Sequence, residues 1–156
     1  MGTIWKTAAA AAACAVVGTI GTKPRSDWYL GLRKPDWQPP SSAFAPVWTT
    51  LYGLVAVASA RVLDREEDEA QRRRFAVALG INLTLNAGFS WVYFAAQRQR
   101  AALGVQLALI ASTADLIHRA ARVDTPAAAM LTPYLAWDAF ATVLNAEVAR
   151  LNPDQP

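Results

Sequence analysis

The chain predicts an all-α fold, a polytopic membrane bundle of five transmembrane helices with a structured loop after the first. Three observations carry that reading. The 156 residues are 54% hydrophobic and only 17% Asp, Glu, Lys and Arg, against roughly 25% charged in an ordinary soluble protein. The charges are clustered, and the apolar tracts between them run to about 20 residues, the length a helix needs to cross a bilayer core. Finally, the stretch 23–52 gathers three of the six Trp, two of the four Tyr and five of the nine Pro between two of those tracts. One domain, residues 1–156, accommodates all of this. A membrane β-barrel would show shorter segments of alternating polarity, which the Ala-rich runs do not.

The first span, 4–22, is rich in Ala, a good helix former of weak apolarity, so it is expected to pack against protein more than lipid. Cys14, Gly18 and Gly21 leave a small-residue face suited to close backbone approach. Lys6 and the Ala-rich run after it resemble the start of a secretory signal. The later spans make a membrane protein in any case, and the first helix is expected to remain and pack. Residues 23–42 form the cap loop. Four Pro between Pro35 and Pro46 are expected to exclude a regular helix interior from the first part of the stretch 23–52. Trp28, Tyr29 and Trp37 are amphipathic rings that suit the headgroup level or the rim of a cavity between helices.

The second span is 43–63, with Ser41 and Ser42 as expected caps and Pro46 in the first turn. Trp48 and Tyr52 are four apart and share a face that continues the aromatic lining downward from the cap. In residues 61–75 five Arg balance five acids, which reads as a solvated turn. Arg72, Arg73 and Arg74 can hold a helix end at anionic headgroups.

The third span, 75–96, places Asn82 and Asn86 on one face, with Phe89 and Ser90 a turn further on. Amides at membrane depth must face protein or a wet cavity, which leaves interhelical bonding or ligand contact as their roles. The fourth span, 101–120, carries Gln106, Asp115 and His118, the last two expected to pair near the membrane edge. The fifth, 127–150, should bend at Pro133. Along it Tyr134, Asp138, Ala141 and Asn145 form a stripe, with Trp137 beside it. A carboxylate in hydrocarbon is costly. Asp138 is therefore expected to face the cavity or a helix junction and to share a hydrogen bond with a polar side chain.

The net charge of +3 and pI near 9.4 are mild. Without a basic cluster or zinc pattern they argue against nucleic acid and for an anionic membrane surface. Eight basic residues fall on the N-terminal side and seven on the other, so the charge bias does not fix orientation. A single cysteine excludes an intrachain disulfide. There is no metal-ligand spacing, phosphate-binding loop, dinucleotide loop or nucleophile signature, hence no catalytic residue to nominate and no required cofactor. Aromatic walls with a few polar groups suit a flat or bulky apolar ligand. By residue type alone it could be a sterol, a tetrapyrrole or a lipid tail.

Several stretches in order and at specific spacing carry a family likeness. They are W-Y at 28–29, K-P-D-W-Q-P-P at 34–40, F-A-P-V-W-T-T-L-Y at 44–52, L-T-L-N at 83–86, P-Y-L-A-W at 133–137 and F-A-T-V-L-N at 140–145. The chain thus resembles the tryptophan-rich sensory protein and translocator protein family, relatives of the peripheral-type benzodiazepine receptor, as a bacterial member. The resemblance implies a homodimer in membrane lipid whose cavity is closed by the loop after the first helix. It implies a porphyrin ligand (protoporphyrin IX or haem), with sterol and isoquinoline-type ligands in some relatives. The implied activity is that of a receptor or carrier linked to tetrapyrrole regulation or stress signalling. The alternative is an enzyme of light-dependent porphyrin breakdown.

The matching cavity positions are Trp28, Trp37, Trp48, Asn86, Tyr134, Trp137, Ala141 and Asn145, to which Phe89 and Asp138 are added as candidate ligand contacts. Phe89 stands where relatives carry Trp, Asn82 where they carry Gln, and Asp138 at a usually apolar position. The sterol-recognition pattern wants a Tyr that Leu144 to Arg150 lacks.

Overall fold

The computed structural model describes residues 2–155. It is helical almost throughout: α1 (Thr3–Gly21), a short α2 (Asp27–Gly31), α3 (Ser41–Arg65), α4 (Glu69–Ser90) continued by a π-helical turn (Trp91–Ala95), α5 (Gln99–Ala121) and α6 (Thr125–Leu151). Among the described residues five helices are long and apolar enough to cross a membrane: α1, α3, α4 through its π turn, α5 and α6. Main contacts run α1 to α3, α3 to α6, α6 to α5, α5 to α4 and α4 back to α1. The five spans therefore close into a ring. Cys14, Leu51, Val55, Leu79, Leu83, Leu109, Leu116, Leu131 and Tyr134 fill its centre.

Helix ends follow local chemistry. Asp68 caps α4 by accepting from the N–H groups of Ala70 (2.7 Å) and Gln71 (3.1 Å), and Asp124 caps α6 by accepting from that of Ala127. The expected caps of α3 are corrected. That helix begins at Ser41, its N-cap is Pro40 without a side-chain bond, and both serines are exposed. Pro46 consequently lies two residues further in than expected, where its missing N–H would face the carbonyl of Ser42 near the exposed helix start. Pro133 sits inside a continuous α6 and leaves the carbonyl of Ala129 without its helical donor. Thr132 supplies one, its hydroxyl donating to Ala129 O at 2.7 Å, a local repair of the kind spans use.

The π turn was not expected and has a packing cause. The Trp91 ring lies across the end of α1, its indole N–H donating to Val17 O at 3.0 Å. A Cβ on Gly21 would stand 2.8 Å from that ring, so only glycine admits it. The extra residue in the turn swings Trp91 toward α1. Gln97 then ends the segment at φ 57°, the left-handed conformation in which helices commonly stop.

The ionic ends also differ from expectation. Asp115 pairs with Arg119 at 2.6 Å, one turn on, and not with the exposed His118. Asp124, in the short connection between α5 and α6, is buried and bridged by Arg61 (2.9 Å) and Arg65. Burial alone would raise its carboxyl. The bond from Arg61, the N–H of Ala127 and the two guanidinium charges outweigh burial and hold it below the ordinary carboxylate value.

Candidate functional site

The cap is held to the C-terminal end of α6. Ser26 starts α2 by accepting from Tyr29 N. Leu32 then buries against Leu144 and Val148, with Trp28, Tyr29, Phe44 and Phe140 around them. The side chain of Asn152 accepts from Arg33 N (2.9 Å) and donates to Arg33 O (2.8 Å), a two-bond clamp on extended backbone. Trp28 adds an indole N–H to Gln155 at 2.8 Å. Inside the cap, Lys34 Nζ donates to the carbonyls of Tyr29 and Leu32 and stands 4.5 Å from the Tyr29 ring centroid. Burial there lowers the Lys34 pKa and raises that of Tyr29.

Beneath the cap the rings form two groups. In the first, on α3 and α6, Trp48 stacks on Tyr52 (5.5 Å) and meets Tyr134 (6.3 Å) and Trp137 (6.4 Å) edge-on. Trp137 continues to Phe44 (5.7 Å) and Phe140 (5.2 Å), and Trp37 of the cap closes on Phe140 at 6.0 Å. The second group belongs to α2, α4 and the π turn. Tyr93 is its centre, with Trp28 edge-on at 5.7 Å and Phe89 stacked at 5.5 Å. Trp37, Trp48, Tyr134 and Trp137 are thus brought together, while Trp28 and Phe89 meet elsewhere. Ala141 and Asn145 lie half-buried further along α6.

A chain of polar side chains runs below the first group through four helices. Tyr52 OH donates to Asn86 Oδ1 (2.8 Å), and Asn86 Nδ2 donates to Tyr134 OH (2.8 Å). Tyr134 OH donates to Asn82 Oδ1 (3.0 Å), Asn82 Nδ2 to Thr113 Oγ1 (2.9 Å), and Thr113 Oγ1 to Asp138 Oδ2 (3.0 Å). Every hydrogen points the same way and the series ends on a carboxylate, the one group that only accepts when ionised. Cys14 of α1 joins the other end, with Sγ 3.2 Å from Leu83 O and 3.7 Å from Tyr52 OH, so all five spans touch the chain. Asp138 is 3% exposed and faces the α5–α6 junction.

Thr113 was missed in the sequence. Its only signal is a spacing of seven from Gln106 and fourteen from Gln99, which puts three polar residues on one buried face of α5. The amide groups of Gln99 and the Oε1 of Gln106 find no partner among the described residues.

The arrangement defines a class: a five-span membrane protein with a stacked aromatic site over a buried polar chain. Residues 7–151 match the model of the TspO/MBR family, and the chain belongs to that family. It is 39% identical over 145 residues to the Tryptophan-rich protein TspO of Chlorobaculum tepidum, covering 90% of this chain and 91% of that one. It is 36% identical over 146 residues to the Tryptophan-rich sensory protein of Cereibacter sphaeroides, covering 93% and 90%. Against the Translocator protein of Homo sapiens the identity is 39% over 129 residues, covering 80% and 75%. Among the described residues no group of His, Cys, Asp and Glu is placed to hold a metal ion.

Proposed function

We propose that the protein is a membrane receptor or carrier that binds a tetrapyrrole against Trp48, Tyr134 and Trp137. The observation that carries this reading is the Trp48–Tyr52 stack with Trp137 at 90° to it, ring faces against which a flat macrocycle would stack once the cap opens. Each well-placed aromatic contact contributes about 0.5–1.5 kcal/mol beyond area burial. Trp37, 48% exposed, is the ring that must swing aside with the cap to admit the ligand. The buried chain beneath orients Tyr52 and Tyr134 and so fixes where a polar substituent is accepted. The family supports receptor and carrier roles alike, in a bacterial membrane and as one five-helix domain. On the same ground we assign a homodimer, whose exposed Ala- and Gly-rich helix faces permit close contact.

Titration with protoporphyrin IX should quench Trp fluorescence saturably, and replacement of Trp37 or Trp137 should weaken binding. Quenching indifferent to both replacements would remove the site. Mass analysis after illumination separates the enzyme reading, which requires a discrete porphyrin product formed only with intact Trp residues.

A further inference from the structure

A groove of about 610 Å³ runs down the outer surface between the first half of α4 and the second half of α5. Its rim carries Arg73, Arg74, Arg119 and the carboxylate of Asp115, its wall Val77 and Ile81, and its foot Ser112. Arg119 is paired with Asp115. Arg73 and Arg74 have no carboxylate within salt-bridge distance among the described residues, in contrast to Arg61, Arg65, Arg72 and Arg150. The groove therefore keeps an excess of two positive charges at the start of a membrane span, where headgroups lie. Val77 and Ile81 are 57% and 54% exposed and face the hydrocarbon layer. From Arg73 to Ile81 the helix descends about 12 Å, the depth from a phosphate into the acyl region.

We propose that this groove is a binding site for one anionic phospholipid, with its phosphate on Arg73 and Arg74 and one acyl chain along Val77 and Ile81. Charge decides the class of lipid. A zwitterionic headgroup would bring its own cation against the two unpaired guanidiniums of Arg73 and Arg74, whereas an anionic headgroup brings none. Arginine suits the task because its planar donors take phosphate oxygens in pairs. The apolar wall decides for a lipid over a free phosphate, since an ion alone would leave Val77 and Ile81 unused.

The test is native mass spectrometry of the intact protein in detergent at low ionic strength. Phosphatidylglycerol, phosphatidylcholine of the same chains and inorganic phosphate are titrated separately. One phosphatidylglycerol should bind in preference to phosphatidylcholine, and Arg73→Gln with Arg74→Gln should weaken it roughly thirtyfold. Arg98→Gln at the opposite end should not. Ile81→Trp, which fills the wall, should weaken phosphatidylglycerol while both arginines remain. Equal binding of phosphatidylcholine, undiminished phosphatidylglycerol binding in the double variant, or phosphate displacing the lipid at comparable concentration would each overturn the assignment.

Discussion

Thr113 on α5 donates its hydroxyl to the carboxylate of Asp138 on α6 at 3.0 Å, both side chains buried. This bond ends the one-way chain that begins at Tyr52. Removing the donor with Thr113→Val strands the buried Asp138 carboxylate, while the Asn82 amide keeps its bond to Ser112 Oγ at 3.3 Å, and should cost about 1–3 kcal/mol. Asp138→Leu removes the group that needs solvating and should leave the fold nearly as stable. Thermal unfolding of both variants and of the double variant checks the ordering. A Thr113→Val protein as stable as the parent would refute it. Porphyrin affinity should shift in Asp138→Leu more than expression does.

The Arg33–Asn152 clamp is the cap's main polar anchor. Asn152→Ala removes both hydrogen bonds to the Arg33 backbone and a third to Val148 O, and should loosen the cap by about 1–2 kcal/mol while leaving the ring of spans intact. Hydrogen exchange should quicken over residues 27–34 with α3 to α6 unchanged. Uniform acceleration along the chain would contradict this.

Gln97 adopts φ 57°, where an L side chain is strained and glycine is not. Gln97→Gly should therefore be neutral or stabilising by up to about 1 kcal/mol, measured by thermal unfolding. Gly21→Ala should do the opposite, because its Cβ meets the Trp91 ring at 2.8 Å, and overpacking of this sort costs about 1–3 kcal/mol.

Asp124 predicts an acid limit. Its carboxyl is held below the ordinary value of 3.8, so the unfolded chain takes up the proton first and stability falls as pH drops below about 4. Above that range the ion pairs with Arg61 and Arg65 are fully formed. Asp124→Asn should flatten the low-pH end of the stability profile, and an unchanged acid slope would rule out this cluster as its source.

The five spans could be read directly from the sequence because hydrocarbon imposes length and polarity on every crossing helix. The pairing of Trp48 with Tyr52 could be read for a similar reason, since four residues on a helix leave no choice of face. Trp28 could not be placed, because its position depends on a cap pinned by Asn152, 119 residues beyond Arg33. The π turn was equally hidden, since it answers to the missing side chain of Gly21 on another helix. Thr113 was passed over because a threonine in a helix is ordinary until a carboxylate is found opposite it. Asp138 drew attention for the inverse reason: a charge at that depth requires a partner.

Two aromatic groups lie beneath one cap, and the proposed tetrapyrrole site uses only one of them. The most direct measurement is the dissociation constant of protoporphyrin IX, followed by its own absorbance so that loss of a Trp does not alter the signal. Trp48→Leu and Trp137→Leu should each weaken binding about tenfold or more, while Phe89→Leu in the Tyr93 group should leave it within about twofold. Strong loss with Phe89→Leu and none with the two Trp variants would place the ligand in the Tyr93 group and overturn the proposed site.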